Sequence, residues 1–261
     1  MSENQEKLNE QLFNVIADDK ESDEARLKKV KYLVRLGADV HQKDKYGCTA
    51  LMKAAHSGQL DVVEYLVQSG ADLEAKDKDG QTALMKVAIN GQLDAVKCLV
   101  ELGADLEAKD GDGRTALMMA ANLGELDAVK CLAECGANVN ASDKYAHTAL
   151  MMAAYNGHLE VVKYLAEGGA DVNAKVEEGL TALMFGVSNG DLEVVKCLVE
   201  HGADFKAKDK DGWTALDHAK DRKRDDCVKF LEEAQKKVSA QKNKGDKTSA
   251  SQIVMANEGR D

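Results

Sequence analysis

The sequence predicts an all-α solenoid in which pairs of short helices, joined by tight turns, stack in register. Three observations predict it. Turn glycines, threonines and leucines recur with one 33-residue step. Proline is absent and aromatics make up 4% of the chain, so Ala, Leu, Val and Met carry the apolar content; these favour helices that approach one another closely. Within each period the apolar residues follow helical rather than alternating spacing.

The step is read most directly from Gly47, Gly80, Gly113, Gly179 and Gly212, with Ala146 in the missing place. Thr49, Thr82, Thr115, Thr148, Thr181 and Thr214 keep it, as do Leu51, Leu84, Leu117, Leu150, Leu183 and Leu216. A Gly-Ala pair recurs at Gly37, Gly70, Gly103, Gly136, Gly169 and Gly202. In the first full unit, Asp44–Gly47 is turn chemistry, with glycine free to take positive φ. Thr49 stands where a helix N-cap hydroxyl is wanted. Residues 50–55 form a short helix of small side chains, and Gly58 ends it. Leu60, Val63, Leu66 and Val67 give a second helix with one buried stripe, stopped by Gly70. One such unit cannot bury its apolar face alone, whereas stacked neighbours can.

The pattern D-x-x-G-x-T-A-L-M…G-x-L…V-x-x-L…G-A-D, seen entire over Asp77–Asp105, resembles the ankyrin-repeat family, and the resemblance runs from about Asn4 to Gln235. This chain writes Thr-Ala-Leu-Met, as at Thr82–Met85, where the family has Thr-Pro-Leu-His. That removes a proline helix start and a bracing histidine. Alanine is a good helix former and methionine fills gaps, so the fold should tolerate both changes. The resemblance implies a right-handed ankyrin-repeat solenoid with β-turn tips that binds a protein partner through its concave face. The expected organisation is an N-terminal capping repeat over 4–41 with an acidic insertion, five full repeats over 42–206, a C-terminal capping repeat over 207–235 and a disordered tail over 236–261. The insertion falls in Asp18–Ala25 and is expected to be an exposed acidic loop, because Leu12 and Val30 lie 18 residues apart where Leu51 and Val63 lie 12 apart. The last repeat puts Lys220, Asp225 and Glu232 where inner repeats are apolar, as a cap facing water requires. Lys, Ser, Gln and Gly dominate the tail, and Ile253–Met255 reads as untidy tail rather than as a motif.

Charge narrows the function. The chain carries −11, and its last 26 residues hold six basic and three acidic side chains. That field repels nucleic-acid phosphates and anionic membranes, so neither is expected as a partner. No secretory signal is visible, and no stretch reaches the about 20 apolar residues of a spanning helix. A cytoplasmic monomer is expected.

Catalytic and metal readings fail on spacing. Cys98, Cys131 and Cys197 share one repeat position with Tyr65, Tyr164 and Phe230, as helix-packing residues do. Axes of stacked helices lie about 8–10 Å apart, too far for a disulfide between Cys98 and Cys131. Cys135 shares a helical face with Cys131, but no histidine completes a zinc set. Asp110–Gly113 resembles a calcium loop faintly, and the positions that need acid are Ala108 and Met119. The six histidines occupy six different repeat positions with no recurring nucleophile beside them. Lys43, Lys76, Lys109, Lys175 and Lys208 form a ladder, but Asp44, Asp77, Asp110 and Asp209 stand beside four of them, so the stripe reads as self-neutralised. No enzyme, cofactor or metal is expected.

In proteins of the resembled family the turn tips and the exposed side of each first helix meet the partner. Off-pattern residues at these positions cluster late. Ala146 replaces a turn glycine, Val176 replaces the leading aspartate, and Gly186 interrupts a helix. Tyr145, Tyr155, Leu180 and Trp213 place apolar bulk in the same half, flanked by Arg114 and His147, with Tyr46 at the equivalent earlier tip. Aromatic residues and arginine dominate interaction hot spots. The expected function is therefore non-catalytic binding of a protein partner. The alternative keeps the fold and makes the chain a dedicated inhibitor or stabilising regulatory subunit of one specific enzyme.

Overall fold

The computed structural model describes residues 3–18 and 20–242, the last four without side chains. Among the described residues there are fourteen α-helices and no strand. The chain divides into two compact units, Met1–Ala120 with Asp127–Asn138, and Ala121–Leu126 with Val139–Asp261.

Unit 1 begins with α1 (Glu3–Ala17) and α2 (Asp23–Arg35), followed by α3 (Ala50–His56), α4 (Leu60–Gln68), α5 (Ala83–Ile89) and α6 (Leu93–Glu101). First helices stack on first helices, α3 between α1 and α5, and second on second, α4 between α2 and α6. The next pair, α7 (Ala116–Leu123) and α8 (Leu126–Glu134), is divided between the units. Unit 2 continues with α9 (Ala149–Asn156), α10 (Leu159–Glu167), α11 (Ala182–Asn189), α12 (Leu192–Glu200), α13 (Ala215–Asp221) and α14 (Asp225–Lys242). There α11 packs between α9 and α13, and α12 between α10 and α14.

From α3 on, each first helix starts because a threonine hydroxyl accepts the backbone N–H three residues on, as Thr49 does from Met52 at 3.3 Å and Thr181 from Met184 at 3.4 Å. The methionine that replaces the family's histidine reciprocates. Met52 and Met85 Sδ accept the N–H of Thr49 and Thr82 at 3.4 Å. In the last repeat a carboxylate does this better: Asp217 Oδ2 accepts the Thr214 N–H at 2.9 Å and its hydroxyl at 2.7 Å. The Ala-Leu-Met runs that open α3, α5, α7, α9 and α11 are buried, Leu150 and Met151 at 0% and 1% exposure, and form the core between stacked pairs. Truncating such a leucine to alanine costs about 2–5 kcal/mol.

Two expectations are corrected at the ends. The extra N-terminal residues are not all loop over Asp18–Ala25, since α2 already begins at Asp23. They lengthen helices, since α1 and α2 have 15 and 13 residues against 7 and 9 in α3 and α4. Arg26, buried, donates to the carbonyls of Asp18 and Glu21 at 2.9 and 3.0 Å and ties the short connection down. At the other end helix continues past Gln235 to Lys242, with Val238 buried. Lys220 and Glu232, expected on the polar cap, pair at 2.8 Å. Residues 243–261, with Ile253–Met255, lie outside the described residues.

Candidate protein-binding surface

The turn tips are built around one aspartate each. Asp44, Asp77, Asp110, Asp143 and Asp209 accept, through Oδ1, the backbone N–H of the second and fourth residues on, at 2.8–3.0 Å. The other oxygen takes a nitrogen donor: Lys53 at 2.9 Å, Lys86 at 2.6 Å, Arg114 at 2.7 Å, His147 at 3.2 Å and His218 at 2.7 Å. Burial pushes the Asp44 and Asp77 carboxyls up, but the hydrogen bonds from Lys53, Lys86 and the turn amides outweigh it and hold both below the usual range. The same balance, with the Trp213 amide and His218 as donors, lowers Asp209. These donors correct the expectation that the lysine ladder neutralises the aspartates. Lys43, Lys76 and Lys175 instead reach across to the carbonyls of Lys76, Lys109 and Lys208 at 2.7, 2.7 and 3.0 Å.

One turn breaks the rule. At 176–180 the aspartate is Val176, buried at 5% exposure, the residue matching Arg114 and His147 is Leu180, and the one matching Lys53, Lys86 and His218 is Phe185. Acid and donor are lost together, and an apolar set takes their place. The turn before it is also altered. Ala146 holds φ at 64°, in the left-handed region that costs a side chain about 1–2 kcal/mol. At the equivalent Gly47 and Gly80 an added Cβ would lie 2.8 and 2.6 Å from the amide nitrogen of the following turn. The Ala146 methyl is aimed at the corresponding place. Elsewhere the tips are tied, Lys78 N–H to Tyr46 C=O at 3.2 Å and Lys210 N–H to Glu178 C=O at 2.9 Å. No such bond joins Glu177 to Tyr145.

Around this altered turn, within unit 2, aromatic rings meet. Phe185 on α11 lies 5.8 Å from the His147 ring and 5.9 Å from Tyr155, edge to face at 88° with the latter. His147 in turn lies 6.1 Å from Tyr145. Tyr145 and Tyr155 are 54% and 57% exposed, though each is anchored at one edge of the cluster. The Asn189 amide fixes the Tyr155 carbonyl at 2.8 Å. One turn on, Trp213, 40% exposed, rests 5.4 Å from the His218 ring, and His218 is pinned by Asp209. Leu180 holds the matching tip position and is half-buried.

The structure therefore brings Tyr145, His147 and Tyr155 into one cluster and sets Leu180 and Trp213 on the next two tips. The remaining two expected residues, Tyr46 and Arg114, belong to unit 1. Tyr46 is exposed beneath the Lys45 ammonium, 4.9 Å from its ring centre. Arg114 turns onto its own turn, with Nε and Nη2 at 2.9 and 2.7 Å from Asp110. Phe185, the ring that joins the cluster, was missed by sequence reasoning. Its signal was present, because it takes the place of Lys53, Lys86 and His218 in the one repeat whose turn lacks an aspartate. Gly186, expected to weaken α11, is buried where an added Cβ would lie 3.0 Å from Val194 Cγ1, so the missing side chain also lets α12 approach.

Comparison with known families decides what the stacked pairs are. The family model described as ankyrin repeats (3 copies) matches residues 22–110, 105–176 and 173–243. The chain belongs to the ankyrin-repeat family. Ankyrin repeats generally mediate protein–protein interaction. No curated protein matches the chain at a significant level. The other chemistry in this ankyrin array is sparse. All six cysteines are free, and burial pushes the Cys98, Cys131, Cys197 and Cys227 thiols up, Cys197 to about 11, away from thiolate reactivity. Among the described residues no group of three or more His, Cys, Asp or Glu side chains could hold a metal ion. No described helix is long and apolar enough to cross a membrane.

Proposed function

We propose that this chain is a non-catalytic binding module that recognises a protein partner through the aromatic surface of unit 2, formed by Tyr145, His147, Tyr155, Leu180, Phe185 and Trp213. The observation that carries the reading is the coordinated replacement at Val176, Leu180 and Phe185. A fold that needs only a stable turn uses the aspartate and its donor, as five other tips do. Here that pair is given up and the result is exposed rings held in place by neighbours. Pre-positioned aromatic groups lose little freedom on binding, which is what a hot spot requires. We further read the protein as a cytoplasmic monomer, in keeping with six free thiols.

The test is capture of partners from the native cell by the unaltered chain and by the Phe185→Lys variant, which restores the residue found at Lys53 and Lys86. Partners retained by the first and lost by the second support the surface. Partners retained equally by both contradict it. A single stoichiometric enzyme among those lost would favour the dedicated inhibitor or regulatory subunit over a broader scaffold.

A further inference from the structure

We infer that the unit 2 surface takes a basic segment of its partner, one in which an arginine stands beside an apolar residue. This rests on the binding reading above and adds the chemistry of what is bound. The apolar requirement comes from half-buried Leu180 and Phe185 together with the exposed rings of Tyr145, Tyr155 and Trp213, Phe185 lying 5.9 Å from Tyr155. The cationic requirement comes from three carboxylates on the tips that carry or adjoin those rings. Glu177 and Glu178 form the tip between the Tyr145 and Trp213 tips, and Asp211 sits two residues before Trp213. All three are exposed, and none forms an ion pair. The ionisable side chains around them are already engaged: His147 with Asp143, His218 with Asp209, and Lys144 above the Tyr145 ring. The opposing cations on and beside the same tips are Lys175, Lys208 and Lys210, with Lys175 bonded to the Lys208 carbonyl at 3.0 Å.

Two contacts within the molecule show how such a ring receives a cation. The Lys144 ammonium lies 5.4 Å from the Tyr145 ring centre, and Lys45 repeats the arrangement over Tyr46 at 4.9 Å. Arginine serves this surface better than lysine. Its guanidinium is weakly hydrated, stacks flat on an aromatic face and still presents two N–H donors to a carboxylate. An acidic segment would face three unpaired carboxylates on a chain of net charge −11, and a nucleic acid or anionic membrane would face the same field.

The experiment is a selection of random short peptides displayed on phage against the full chain. It is repeated against the Tyr145→Ala/Tyr155→Ala/Trp213→Ala triple variant, whose substituted side chains lie outside the core. The expected result is a set of peptides enriched in arginine next to Leu, Ile, Phe or Met, absent from the selection on the triple variant. A synthetic copy of the strongest should bind the Glu177→Gln/Glu178→Gln variant about tenfold or more weakly, with an association rate that falls as salt is raised. Peptides lost on the triple variant but neutral or acidic in composition would overturn the arginine inference and leave the binding surface standing. A selection that yields no peptide dependent on the three aromatic residues would overturn the surface itself. Retained circular dichroism of each variant separates both outcomes from loss of fold.

Discussion

Replacing Ala146 with glycine should stabilise the protein by about 1.5 kcal/mol, although glycine normally weakens a chain. Ala146 holds φ at 64°, where an L side chain is strained by about 1–2 kcal/mol. The added flexibility of glycine in the unfolded chain returns about half of that. The larger part of the gain comes from the neighbouring turn. With the methyl removed, the Glu177 N–H can reach the Tyr145 carbonyl as Lys78 reaches Tyr46 at 3.2 Å, a bond that contributes about 0.5–1.5 kcal/mol net. Urea unfolding should show a higher midpoint with an unchanged slope, and hydrogen exchange at the Glu177 amide should slow. A midpoint that falls would mean that the turn is unstrained and that the extra chain entropy dominates. A midpoint that rises without protection at Glu177 would refute the missing-bond argument while leaving the strain.

Gly186→Ala should raise stability by about 0.5 kcal/mol, less than helix propensity alone gives, because the new methyl must settle against Val194; the pairs Ala153–Val161 and Ala54–Val62 show that the register accepts it, and a loss above about 1 kcal/mol in thermal unfolding would show that it does not. Hydrogen exchange should find Thr181–Val199 opening before Thr82–Val100, since the tip before α11 lacks the aspartate and donor that brace the tip before α5; equal protection would contradict this. Acid should loosen the turns. Asp44, Asp77, Asp209 and Asp217 all have folded-state values below the ordinary carboxylate range, so the stability they contribute is complete above the unfolded value of about 3.9 and is lost as pH falls through the lower folded values. Asp217→Ala should flatten that loss in a pH series of urea midpoints, and an unaltered profile would remove Asp217 from the account.

Much of the fold was legible because repetition multiplies weak signals. A single threonine is a poor cap indicator, but six on one grid placed six first helices, and in all six the hydroxyl accepts the expected N–H. The ends lack that reinforcement. Leu12 and Val30 gave the number of extra residues but not their conformation, and Arg26 decides it through bonds that no periodicity encodes. The terminal helix overran Gln235 for a similar reason, since Val238 has no counterpart to compare. In the candidate surface the exposed rings were found as departures from a grid. Phe185 escaped because a phenylalanine in a helix looks ordinary until its position is compared with Lys53 and Lys86. Arg114 was counted as available because its partner, Asp110, lies four residues away in a turn, and only the geometry shows two bonds between them.

The central claim is that unit 2, through its aromatic tips, is where the partner binds. Isothermal titration calorimetry with a captured partner tests it most directly, using Tyr145→Ala, Tyr155→Ala and Trp213→Ala beside Glu64→Ala and Lys97→Ala, two exposed second-helix positions in unit 1. Each aromatic change should weaken binding by at least about 2 kcal/mol, and each control should stay within about 0.5 kcal/mol. Normal binding by all three aromatic variants, together with loss of binding on changing Tyr46, Gln81 or Ile89, would place the site in unit 1 and contradict the account.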